Sequence, residues 1–240
     1  GHDCDPIAPA YCLSPFPSDA WTVEADTPTG KRVAFGATTL PIHRPLDAPI
    51  DPTRFNQHDG FSIAQSPMVL LPGATATGLA SPADIALSLT ADSPTVILEA
   101  EPGTPVAHFA EVDQLATDDN DRLFMLRPVT RLADATRYIV AIRHVVDRDG
   151  NELPPSSAFQ ALRDGDDHPH PSVDARRDLY ADIFAKLDDA GYATGDLQLA
   201  WDFTTASLDQ NTKALLHMRD DALAVVGDEG PEYRITEVEE

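Results

Sequence analysis

The period of hydrophobic and polar positions changes along the chain. Residues 1–60 have little periodicity. Stretches such as "SPFPSDAW" and "DAPIDPTRF" predict extended, turn-punctuated chain, wrapped around a core built elsewhere. From 61 to 163 the pattern becomes short apolar runs parted by turn residues, which predicts strands. These runs are "SPMVLL" (66–71), "DIALSLT" (84–90), "TVILEA" (95–100), "VAHFAEV" (106–112), "RLFMLRP" (122–128), "RYIVAIRHVV" (137–146) and "SAFQAL" (157–162).

From residue 172 the period becomes helical. Ser172 is a plausible N-cap, with Asp174 in the first turn. Leu179, Tyr180, Ile183, Phe184 and Leu187 form a stripe, and Gly191 suits the end of this helix. A strand is predicted over "LQLAWDFTT" (197–205), with Trp201 and Phe203 as core packing or, more sharply read, an aromatic sugar platform. Ser207 and Gln210 form a capping-box pattern before a second helix that carries Leu208, Leu215, Ala222 and Val226 on one face. "PEYRITEVEE" reads as a last strand that is cut off rather than finished.

Consecutive short strands without intervening helices predict a mainly β fold, with a sandwich or barrel at its centre. The expected organisation is an extended Pro-rich arm (1–60), a sandwich (61–165), and a two-helix segment (166–240) that leads toward a further domain.

The charge narrows the partners. Seventeen basic residues against 40 acidic ones leave a net charge of −23. Such a surface repels phosphate backbones and anionic lipid, so nucleic-acid binding is excluded as a class. It suits high salt, divalent cations, or a merely solubilising role. No apolar run is long enough to span a bilayer. The only cysteines, Cys4 and Cys12, predict a disulfide pinning the N-terminal segment and an oxidising compartment: secreted, periplasmic or cell-surface. The start at "GHDC" reads as processed or trimmed.

Particular residues then suggest a family. "LSPFPSDAWT", "IDPTRFNQHDGFS" and "SPMVLLPG", in that order, resemble the N-terminal region of exported bacterial lipase- or esterase-like proteins, including the family called bacterial virulence factor lipase, N-terminal. "LRPVTRLADATRYIVAIRHVVDRDGNEL" is similar to bacterial Ig-like domains through Leu126, Pro128, Leu132, Thr136, Tyr138, Val140, Val146, Asp147, Gly150, Asn151 and Leu153. "LQLAWDFTTAS…MRD" resembles the linker that follows in the same hydrolases. The resemblance implies an Ig-like β-sandwich and a non-catalytic accessory region, partnered by a downstream α/β-hydrolase domain. The nucleophile elbow G-x-S-x-G and an HGGG-type oxyanion loop are both missing from this sequence, so the catalytic machinery is expected beyond Glu240 or lost.

Candidate chemistry is sparse. Ser62, His58 and Asp59 stand close in sequence, as nucleophile, base and orienting acid must stand in space. Asp-Gly before a strand is also a common turn, and the expected role is structural, with Phe61 and Ile63 entering the first sandwich strand. Asp147, Asp149 and Asn151 alternate as oxygen ligands do in a calcium loop, although Gly150 stands one place too early for an EF-hand. A hairpin turn explains the same residues. Asp118, Asp119, Asn120 and Asp121 form an acidic loop tip. His168 and His170, beside Asp164, Asp166 and Asp167, form a His-x-His pair that could take zinc or nickel. The acidic loop raises calcium as a cofactor, and an extracellular Ig-like module binding calcium, a glycan or a protein is the alternative to the accessory role.

Overall fold

The computed structural model describes residues 4–227 and 230–238. In chain order its elements are β1 (Thr22–Glu24), β2 (Lys31–Val33), β3 (Ile42–His43), β4 (Ala48–Pro49), β5 (Met68–Leu70), β6 (Thr95–Glu99), β7 (Thr104–Pro105), β8 (His108–Val112), β9 (Leu123–Pro128) and β10 (Arg137–Arg143). Then follow α1 (Ser157–Asp164), α2 (Pro171–Ala175), α3 (Arg177–Asp189), β11 (Leu197–Thr204) and α4 (Leu208–Val226). Helices and short 3-10 turns take 29% of the described residues, and strands with isolated bridges 23%.

The described strands form antiparallel sheets. The largest has the order β11-β10-β6-β7, a second runs β5-β9-β8, and the arm folds into two small ribbons, β1-β2 and β3-β4. In β11 every residue is buried, and in β10 every residue after Arg137. Strands covered on both faces read as continuous apolar runs, as "YIVAI" does. β11 pairs with β10 from Arg137↔Thr204 to Arg143↔Leu197, so a strand predicted within the helical segment completes the central sheet. α1 and α3 pack on β11. Phe159, Tyr180 and Phe184 meet there as an aromatic cluster with centroids 5.5 to 6.2 Å apart. Arm residues Ile7, Trp21, Val33 and Phe35, with Phe61 just after the arm, belong to the same core as the strands and α1–α3.

Two predicted strands are helical. Residues 85–89 form a 3-10 helix. Ser88 donates to the Ile85 carbonyl (2.7 Å) and accepts from the His108 N–H (3.1 Å), so its hydroxyl takes the place of a strand ladder. Residues 157–164 form α1, with Ser156 capping the Phe159 N–H at 3.1 Å and Gly165 closing it at φ 79°. Its buried Ala158, Phe159, Ala161 and Leu162 have helical spacing, which a six-residue window disguises.

The next helix starts two residues earlier than predicted. His170 is its N-cap and Pro171 its first residue, an arrangement that uses proline where its missing N–H costs nothing. The chain kinks at Arg176 before α3, and α3 ends ahead of Gly191 as predicted. Residues 231–238 of the predicted last strand form no strand, and Glu239 and Glu240 lie outside the described residues. The Cys4–Cys12 disulfide is formed. No helix among the described residues is long and apolar enough to cross a membrane.

Candidate functional site

The stretch from Asp51 to Ser62 is bonded both to the arm and to the start of α4. Asp51 caps a 3-10 turn over Pro52–Gln57 by accepting from the Thr53 N–H at 2.9 Å. That turn presents Asn56 to the arm. The Asn56 amide accepts from the Phe35 N–H (2.8 Å) and donates to the Phe35 carbonyl (3.0 Å), as a neighbouring strand would. Asp59 is buried. Its side chain accepts from the Ser207 N–H at 3.1 Å, and its carbonyl accepts from the Thr29 hydroxyl.

The start of α4 therefore has an unusual cap. Ser207 accepts from the Gln210 N–H at 3.2 Å, the first half of a capping box. Gln210 does not return the bond. Its amide instead meets His58 Nδ1 at 3.0 Å, and Asp59 supplies the acceptor that the Ser207 N–H needs. Gly60 lies against the backbone of Thr205 and Ala206, where a Cβ would sit 2.6 Å from the nearest atoms. Phe61 does not enter a sandwich strand. It makes an isolated parallel bridge to Thr205, with bonds to Thr204 and Ala206 of 2.9 and 2.7 Å.

These contacts disperse the Ser-His-Asp grouping. The Ser62 hydroxyl accepts from the Ala64 N–H at 3.2 Å, His58 faces Gln210, and Asp59 faces Ser207. No hydrogen bond links the three side chains among the described residues, so no nucleophile–base pair is assembled. His58 and Ser62 do line a cleft of about 310 Å³, together with Phe16, Phe35, Phe55 and Phe61. The rings pack edge-on or tilted at 5.7 to 6.5 Å. The cleft is thus aromatic with a polar border. A larger groove of about 570 Å³ lies along β5, lined by Leu13, Phe16, Met68 and Leu123, and does not include His58 or Ser62.

The metal candidates are occupied as turn caps. Asp147 accepts from the N–H groups of Asp149 and Asn151, both at 2.9 Å, inside a hairpin closed by the Val146↔Glu152 bridge. The backbone and side-chain donors of Asn151 hold its carboxyl below the usual range. His168 Nδ1 accepts from the His170 N–H (3.1 Å), and His170 Nδ1 meets the Ser172 hydroxyl (2.8 Å). Asp118 caps Asn120, and Asp119 pairs with Arg148 at 2.6 Å, tying the two acidic loops together. Among the described residues no three His, Cys, Asp or Glu side chains converge as a metal site. Trp201 is buried and donates to the Pro17 carbonyl at 2.8 Å, which rules it out as a sugar platform.

Sequence reasoning missed a buried ionic chain. Asp19 in the arm accepts from the Thr204 N–H and hydroxyl (2.9 and 2.7 Å) and pairs with Lys31 (2.9 Å). Asp202 on β11 pairs with Arg137 at 2.7 Å, and Arg137 also reaches Asp182 of α3 at 2.5 Å. Burial, with the charge of Asp19 added, pushes the Asp202 carboxyl up. Arg176 holds Asp5 by two bonds of 2.9 and 2.8 Å. The signal was an Asp inside the apolar run "LQLAWDFTT", since a buried carboxylate requires a partner. These pairs join arm, sheet and helices. No family model matches this chain, and no curated protein does.

Proposed function

We propose that this chain is the non-catalytic accessory region of a secreted lipase- or esterase-like hydrolase, positioning or shielding a catalytic domain. The observation that carries this reading is the use made of the "DPTRFNQHDGFS" motif. His58 and Asp59 bond the start of α4, Asn56 holds the arm at Phe35, and Ser62 meets no base among the described residues. A motif spent on holding a helix suits a positioning role rather than turnover.

The Ig-like sandwich belongs to the same reading. Tyr138, near the start of β10, accepts from the Ala133 N–H at 2.9 Å. A tyrosine bonded back to upstream backbone near the start of a strand is a feature of such sandwiches. Its ring stacks on Phe203 with centroids 5.6 Å apart. The disulfide supports an oxidising compartment.

The test compares this chain with the longer polypeptide that carries a downstream domain. The longer protein hydrolyses a p-nitrophenyl ester, and this chain alone does not. Saturable binding of calcium to this chain, with a raised unfolding temperature, supports an independent binding module instead.

A further inference from the structure

None of the residues of α4 is buried, although it is the longest helix described. Its sequence is nonetheless amphipathic. At about 100° per residue, Leu208, Leu215, Leu216, Met218, Leu223 and Val225 fall on one half of its surface. Asp209, Lys213, His217, Asp220 and Asp221 fall on the other. All six large apolar side chains are exposed, Leu215 by 65% and Val225 by 86%. Arg219 falls within the apolar half but turns its guanidinium onto Asp220, at 2.6 and 2.8 Å. Asp209 and Asp220 border the apolar half on one side, and Asp221 on the other. At its N-terminal end the face meets the aromatic cleft. Asn211 lines that cleft, and Phe55, another of its lining residues, is 45% exposed.

We propose that this face docks a protein surface made of an apolar groove with a rim of lysine or arginine. The proposal rests on the accessory reading above and gives the chemistry of the partner. Charge decides among the occupants. The chain carries −23, and aspartates flank both borders of the apolar face. An acidic partner, a second copy of this chain included, meets like charge along both borders. A membrane surface fits less well, because interfacial helices set Lys and Arg opposite Trp, Phe and Leu. The polar half of α4 sets Asp209, Asp220 and Asp221 against the single Lys213, and its apolar half has no Trp or Phe.

The probe is a synthetic amphipathic peptide of leucine and lysine, with a leucine and glutamate peptide of the same pattern as its control. Each is titrated into the chain and into the double variant Leu215→Asp/Met218→Asp. The variant adds two negative charges. General attraction to an acidic protein therefore strengthens in it, whereas docking on the apolar face weakens. The expected result is saturable binding of the lysine peptide, weakened about tenfold or more in the variant, and no binding of the glutamate peptide. Both substituted residues are exposed, so the unfolding temperature stays unchanged. Three results overturn the proposal: lysine-peptide binding equal or tighter in the variant, a dimer of the chain that the variant abolishes, or flotation with phosphatidylcholine vesicles that the variant abolishes. Ester hydrolysis by this chain defeats the accessory reading and leaves the peptide result standing. Failure of the peptide test without hydrolysis does the reverse.

Discussion

Asp59 accepts a hydrogen bond from the Ser207 N–H, 148 positions further along the chain, at 3.1 Å. One buried carboxylate thus closes the first turn of α4 and fixes the arm beside it. The bond explains why an Asp-Gly turn in the arm and a serine cap near the other end of the fold occur together. Neither is satisfied alone.

Asp59→Ala leaves the Ser207 N–H without an acceptor. We expect a loss of about 1–3 kcal/mol of stability, with fraying at the start of α4. Asn56→Ala removes two bonds to Phe35 and loses a similar amount. Asp59→Asn keeps an acceptor oxygen and loses less. Denaturant unfolding of the three variants checks the order.

Gly60→Ala tests the closeness of the arm to the backbone of Thr205 and Ala206. A Cβ at 2.6 Å from main-chain atoms cannot be accommodated by turning a side chain. The expected loss is about 3 kcal/mol, the upper part of the range for overpacking. A loss below that of Asp59→Ala would contradict the packing described.

Arg137 is bonded to Asp202 and Asp182, and Asp202 is buried beside Asp19. Arg137→Met leaves an uncompensated buried carboxylate, at a cost of about 3–5 kcal/mol. Arg137→Met with Asp202→Leu removes both charges and is expected to be less destabilised than Arg137→Met alone. A double-mutant cycle measures the difference.

His108 is buried, between the Thr95 hydroxyl (2.9 Å) and the Val106 carbonyl (2.8 Å). The carbonyl can only accept, so Nδ1 carries the proton and Nε2 accepts from Thr95. Burial lowers the ring's pKa below its ordinary value. Below about pH 6.5 the unfolded chain then binds a proton that the native state resists. The contribution of neutral His108 is whole above that pH and is lost as pH falls through the native value. Comparison of the chain with His108→Gln between pH 7.5 and 5 isolates this effect: the native chain loses more stability on acidification than the variant.

Much of the frame was legible in the sequence. Runs rich in Val, Ile, Leu and Phe gave β5, β6, β8, β9, β10 and β11, and the stripe from Leu179 to Leu187 gave α3. Residues 84–90 and 157–162 misled because short apolar runs lack a distinctive period, and local serine bonds decided their conformation. The caps at Ser156 and Gly165 were the overlooked evidence for α1. The clasp was illegible for another reason. Asn56 and Phe35 stand 21 residues apart and Asp59 and Ser207 stand 148 apart, and nothing in one sequence pairs them. The amphipathic pattern of α4 was visible, but its lack of any covering element appeared only in the fold.

The central claim is that "DPTRFNQHDGFS" holds the fold together and performs no chemistry. Thermal unfolding and p-nitrophenyl ester turnover, measured on the chain, on Ser62→Ala and on Asp59→Ala, test it most directly. No turnover is expected from any of the three, with an unchanged unfolding temperature for Ser62→Ala and a lowered one for Asp59→Ala. Turnover by the chain that Ser62→Ala abolishes without changing its unfolding temperature would contradict it.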